Sequence, residues 1–158
     1  MKSIVIYYSY GGNTRHVAEK VAAAIGADLA EIETVKPYTG SYDHVVEQGQ
    51  KEVNSGFQPK IRQINTDLSK YDTVILGTPV WWYTFAPAMN SFLHSDDLSE
   101  KSIYPFATNG GWIGHTFKDF ENACEGATVH VGLNVRFNED EQITSDDEIQ
   151  KWVKQIAK

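Results

Sequence analysis

Apolar and polar positions along this chain follow two alternating periods. Ile4-Val5-Ile6-Tyr7-Tyr8 is an unbroken apolar run, the pattern of a strand buried on both faces, as in a parallel sheet. It stops at Ser9-Tyr10-Gly11-Gly12-Asn13-Thr14, after which Val17, Val21 and Ile25 recur at helical spacing up to Gly26, a residue suited to end a helix. Residues 28–35 alternate more polarly, as an edge strand would. Lys36-Pro37-Tyr38-Thr39-Gly40 reads as a connection, residues 42–53 as a helix, and residues 56–69 as polar and irregular. The next buried strand is 73–78, running straight into Pro79; Pro87 then opens a helix that turns Met89, Phe92 and Leu93 inward, since proline suits a first helical position. Strands are expected at 103–108 and 128–135, with a helix at 117–125 ended by Gly126 between them. Ser145-Asp146-Asp147-Glu148 is a capping box for a last helix whose Ile149, Trp152, Val153 and Ile156 share one face.

Strict alternation of strands and helices, without repeat or linker, predicts one α/β domain over 1–158: a parallel sheet with helices on both faces. Five strands leave two common doubly wound orders, and in either one ligands sit at the carboxyl ends of strands beside the switch point. In the order 2-1-3-4-5, the ends of strands one, three and four lie side by side. Those ends hold unusual residues. Strand one ends in two glycines and short hydrogen-bonding side chains at a helix N-terminus. Free backbone N–H groups, the positive end of the helix dipole and nearby hydroxyls make such a loop a phosphate cradle. Strand three ends in Pro79-Val80-Trp81-Trp82-Tyr83-Thr84-Phe85, four aromatic residues in one loop, and strand four in Thr108-Asn109-Gly110-Gly111-Trp112. Surface loops seldom hold so many rings. Some of Trp81, Trp82 and Phe85 are expected to cap the core, yet a cradle beside an aromatic wall suits a ligand with a phosphate tail and a flat ring, such as flavin mononucleotide (FMN).

In these segments the chain resembles the flavodoxin-like family, in particular a short flavodoxin whose third strand ends in a Pro-x-Trp-Trp loop. Ser9-Tyr10-Gly11-Gly12-Asn13-Thr14 is similar to the family's phosphate motif, usually Ser/Thr-x-Ser/Thr-Gly-x-Thr, and Lys36-Pro37-Tyr38, 77–82 and 108–111 are similar to other family segments. The resemblance implies that Ser9, Gly11, Gly12, Asn13 and Thr14 hold the phosphate. It places Pro79, Val80, Trp81, Trp82 and Tyr83 along one side of the isoalloxazine, and Thr108, Asn109, Gly110, Gly111 and Trp112 along its other side or edge. Two departures stand out. Gly11 replaces a hydroxyl residue, so one phosphate contact is lost or passes to the backbone. Tyr83 stands where many relatives have glycine beside the flavin, at a peptide whose flip stabilises the semiquinone, and a tyrosine is expected to resist the positive φ such a flip needs. Arg15, in the first helical turn, is expected to point into solvent more often than at the phosphate.

The implied function is electron transfer by bound FMN, with no side chain required as acid or base. The alternatives are a small FMN-dependent NAD(P)H quinone or nitro reductase and, more weakly, a module that keeps FMN without redox use. Composition narrows the field further. With 158 residues, 41% of them hydrophobic, the chain can bury a substantial single core. One cysteine, Cys124, excludes an internal disulfide or a cysteine-built metal centre, and is expected to pack as a small apolar residue. His16, His44, His94, His115 and His130 are scattered without metal-ligand spacing, so no metal is expected. A formal charge of −7 with no Lys/Arg cluster argues against nucleic acid. It suits redox partner proteins with a basic docking face. Met1-Lys2-Ser3 precedes only a short apolar run, so neither a signal peptide nor a membrane span is expected and the chain reads as cytoplasmic. Ser9 and Thr78 stand where a phospho-receiver needs acids, Cys124 lacks an arginine six residues on, and Walker A and Gly-x-Gly-x-x-Gly motifs are absent.

Overall fold

The computed structural model describes residues 2–156, so residues 1, 157 and 158 of the expected domain lie outside the described residues. The elements follow in the order β1 (Ser3–Tyr7), α1 (Asn13–Ile25), β2 (Asp28–Glu31), α2 (Tyr42–Ser55), β3 (Thr73–Trp81), β4 (Thr84–Phe85) and α3 (Pro87–Ser95). They continue with β5 (Ser102–Asn109), α4 (Thr116–Ala123), β6 (Thr128–Val129), β7 (Leu133–Asn138), β8 (Glu141–Gln142) and α5 (Asp146–Ile156). The parallel strands lie β2-β1-β3-β5-β7, the 2-1-3-4-5 arrangement expected from the pattern, and two short antiparallel strands are added: β4 on β3 and β8 on β7.

Neighbouring side chains of a strand point to opposite faces, and each face has its own core. Val5, Tyr7, Ile75, Phe106 and Val135 meet Val17 and Val21 of α1 and Ile149, Trp152, Val153 and Ile156 of α5. Ile4, Ile6, Val74, Leu76 and Ile103 meet Met89 and Phe92 of α3 and Phe120 of α4 on the other side. At the centre Gly77 lies under the Phe106 ring, where a Cβ would come within 2.2 Å of it. Ser145 caps α5 as expected, its Oγ accepting the Glu148 N–H at 3.3 Å.

Several boundaries differ from the sequence reading. The second strand ends at Glu31 rather than 35; Val35 and Glu33 instead exchange backbone hydrogen bonds with Lys60 and Arg62 (2.8 Å each). The fifth strand is interrupted between β6 and β7, and in the gap Gly132 lies against the Phe117 ring, where a Cβ would come within 2.5 Å of it. The helix expected at 117–125 spans Thr116–Ala123, and Cys124, its cap, is buried. The third strand does not stop at Thr78 but continues through Pro79 to Trp81. Pairing with β1 ends at Gly77, so the N–H that Pro79 lacks is not needed on that side.

Candidate functional site

The carboxyl ends of β1, β3 and β5 bring the three singled-out segments together at one edge of the sheet. At the first of them, α1 is capped by Gly12 in a left-handed conformation (φ 102°, ψ −11°), preceded by Gly11 at φ 86°. Gly12, as the N-cap, offers no side chain to cap the helix. No hydrogen bond among the described residues uses the N–H groups of Gly11, Gly12, Asn13 or Thr14. A Cβ built on either glycine would meet nothing within 4 Å. The result is an open pocket of unpaired donors at a helix N-terminus, which fits a phosphate.

The side chains of the cradle mostly brace it. Ser9 Oγ accepts the Arg15 N–H at 3.2 Å. Thr14 and Thr108 share a buried hydroxyl–hydroxyl bond of 2.8 Å that ties the cradle to the end of β5. The Asn13 amide donates to the Glu139 carbonyl at 2.8 Å, fastening the loop to the β7–β8 turn. Arg15 does not reach the cradle: its side chain, 52% exposed, lies at the surface, where it pairs with Glu31 and donates to the Tyr7 hydroxyl. Those two hydrogen bonds, Tyr7 first, push its pKa up still further.

Beyond Pro79 and Val80, β3 turns back as a two-residue hairpin, with Val80 opposite Phe85 and Trp81 opposite Thr84. The turn residues are Trp82 (φ 48°) and Tyr83 (φ 71°). The expectation that a tyrosine at 83 avoids positive φ is therefore corrected. A two-residue hairpin matches the strand twist only when both central residues are left-handed, at about 1–2 kcal/mol for each non-glycine residue. Gly114 makes room, since a Cβ there would lie 2.4–2.6 Å from the backbone and Cβ of Tyr83. The His115 N–H donates to the Tyr83 carbonyl at 2.8 Å.

The two tryptophans lean towards α2. Trp81 makes edge contacts with Tyr38, Tyr10 and Tyr8 at ring separations of 5.0, 5.9 and 6.0 Å, and Gly49 of α2 leaves space for it. Behind it, the Tyr38 hydroxyl donates to Glu52 at 2.6 Å and Gln48 braces the same carboxylate at 2.9 Å. Burial, and for Tyr38 also the bond to Glu52, pushes the Tyr8 and Tyr38 phenols well above their usual range. Trp82 Nε1 donates to the Val46 carbonyl at 3.2 Å. A cavity of about 300 Å³ remains among Tyr10, Tyr42, Val46, Val80, Trp81 and Trp82. In the third segment Asn109 Oδ1 accepts the Gly111 N–H and its amide reaches Asn134. Gly110 continues this loop to Trp112, which is largely exposed and packs on Tyr83 at 4.7 Å.

All fifteen singled-out residues thus lie in three adjoining segments. Gly49, Glu52, Gly114 and Glu139 support them and were not foreseen; a third glycine after Gly110-Gly111 was the one local sign of Gly114. Among the described residues no group of His, Cys, Asp and Glu could hold a metal, and no helix is long and apolar enough to cross a membrane.

Residues 2–156 match the family described as Flavodoxin. A candidate flavoprotein from Bacteroides eggerthii is similar over 99% of this chain and 98% of its own, at 28% identity and a TM-score of 0.84. A flavoprotein from Lactobacillus acidophilus, solved in complex with FMN, is similar over 96% of this chain and 97% of its own, at 24% identity and a TM-score of 0.76. Among curated proteins, an uncharacterized NAD(P)H oxidoreductase of Escherichia coli, YcaK, is 25% identical over 80 residues. That match covers 48% of this chain and 40% of the relative's length.

Proposed function

The chain belongs to the flavodoxin family, and from that premise we propose that it binds FMN and transfers electrons. The observation that supports this most is the cradle at α1, whose N–H groups at 11–14 have no acceptor among the described residues. When bound, FMN supplies the redox chemistry. The protein's part is placement. Gly11, Gly12, Asn13 and Thr14 offer backbone donors to the phosphate, while Ser9, Thr14 and Asn13 hold the loop in shape through their side chains. Pro79, Val80 and the Trp82–Tyr83 turn form one wall of the ring site, and Asn109 to Trp112 the other. The wall's apolar character limits water around the ring, and the chain's net charge of −7 disfavours added negative charge there. Redox partners with a basic docking face fit that charge.

Titrating apoprotein with FMN and with riboflavin tests the reading. Riboflavin forgoes the hydrogen bonds from these open donors to a charged phosphate, about 1.5–3 kcal/mol each, and so binds far more weakly; equal affinities would falsify the cradle assignment. A second reading, an NAD(P)H-dependent reductase of quinones or nitroaromatics, is favoured by the 300 Å³ aromatic cavity beside the hairpin and by the description of the Escherichia coli relative. Anaerobic stopped-flow with NADPH separates the two. A carrier is bleached slowly by NADPH alone; fast bleaching followed by quinone turnover selects the reductase.

A further inference from the structure

The β3–β4 hairpin places a tryptophan and a tyrosine where asparagine and glycine ordinarily stand, so the turn needs support from outside itself. Backbone support comes from the His115 N–H on the Tyr83 carbonyl. A side-chain support acts on the next residue. The Thr84 hydroxyl donates to Oδ2 of Asp119, and His115 Nδ1 meets the same carboxylate oxygen. Asp119 lies in the first turn of α4, 28% exposed, while the His115 ring is 60% exposed. One carboxylate therefore joins the hairpin, the loop entering α4 and the helix itself. β4 is only two residues long and pairs with β3 alone, so Thr84 has few other anchors. Charge-assisted hydrogen bonds are stronger than neutral ones, which suits a carboxylate to this task.

We infer that Asp119 is a positioning residue for the ring wall: through Thr84 and His115 it holds the Trp82–Tyr83 turn in its left-handed form. Thr84 pairs with Trp81 across the hairpin, so its tie to Asp119 fixes the two residues between them. When the tie is cut, bulky residues return to commoner backbone conformations, and the fraction of molecules with a competent wall falls. The apparent affinity for any ligand of that wall falls by the same fraction.

The test uses Thr84→Val, which keeps the shape and loses the donor; Thr84→Ser, which keeps the donor and loses a methyl; and Asp119→Leu, which removes the acceptor. Amide hydrogen exchange is read in the apoprotein across residues 82–85, with Ile75 and Leu76 of β3 as the internal reference. Thr84→Val and Asp119→Leu accelerate exchange in the hairpin and leave the reference unchanged. In titrations both variants weaken FMN and riboflavin by one common factor, about tenfold, since the phosphate cradle is untouched. Thr84→Ser restores both readouts. Unchanged hairpin exchange in either variant overturns the inference, as does a loss confined to FMN. A Thr84→Ser protein as weak as Thr84→Val would show that the methyl, not the hydrogen bond, matters. The titration arm rests on the FMN reading and the exchange arm does not: if the wild type bound neither flavin, the proposed function would fall while exchange still decided the role of Asp119.

Discussion

Replacing Gly12 with valine separates the cradle from every other part of the site. Gly12 sits at φ 102° and ψ −11°, where a β-branched residue is strained by about 1–3 kcal/mol. A Cβ there meets no atom within 4 Å, so backbone strain is the main cost expected for the apoprotein. For a chain of this size each kcal/mol lowers Tm by about 2–4 °C, and Gly12→Val should remain folded. Its side chain, in a loop whose N–H groups at 11–14 are unpaired among the described residues, is expected to compete with a phosphate for that space. Blocking two N–H bonds to a charged phosphate at about 1.5–3 kcal/mol each removes about 3–6 kcal/mol, or about two to four decades of FMN affinity. Riboflavin, which has no phosphate, should bind Gly12→Val about as well as it binds the wild type. The assay is quenching of flavin fluorescence on titration into each apoprotein, with circular dichroism to confirm folding. An equal loss for both flavins, or none for FMN, refutes the assignment of the phosphate to 11–14.

Gly114→Ala should lower stability by about 2–4 kcal/mol, from a Cβ pressed within 2.4–2.6 Å of Tyr83 at a left-handed position; denaturant unfolding measures it, and a neutral effect would mean the hairpin moves freely. Trp82→Ala should weaken FMN by about 0.5–1.5 kcal/mol beyond the area lost if its ring faces the flavin; restored flavin emission in titrations reports this, and unchanged emission assigns Trp82 to α2 alone. Burial raises the Cys124 thiol to about 11, above its unfolded value, so the associated stability is complete below about pH 8.5 and declines as pH rises through about 11. Iodoacetamide at pH 8 should accordingly modify native protein far more slowly than urea-unfolded protein, and comparable rates would contradict the buried placement. Electron delivery from a basic reductase should slow steeply with salt, because charges are screened within about 10 Å at 0.1 M; stopped-flow rates independent of ionic strength would refute a charge-steered partner.

Local pattern was enough to determine the number, order and type of the main elements. Apolar runs such as 4–8 and 73–78 can be satisfied only by strands covered on both faces, and a Gly-Gly loop between a strand and a helix can form a cradle with few long-range contacts. The cap at Ser145 and the proline at 87 likewise act within a few residues. What needed the tertiary structure depends on atoms distant in sequence. Gly132, in the break of the fifth strand, is matched to the Phe117 ring, and passage of β3 through Pro79 is set by where β1 stops. The partners of the exposed Arg15, Tyr7 and Glu31, come from β1 and β2. The sharpest case is Tyr83. Its intrinsic preference points away from positive φ, yet φ is 71° because the hairpin register, the missing Cβ of Gly114 and the His115 N–H together outweigh that preference. A single residue's backbone preference amounts to about 1–2 kcal/mol, and several tertiary contacts acting together exceed it.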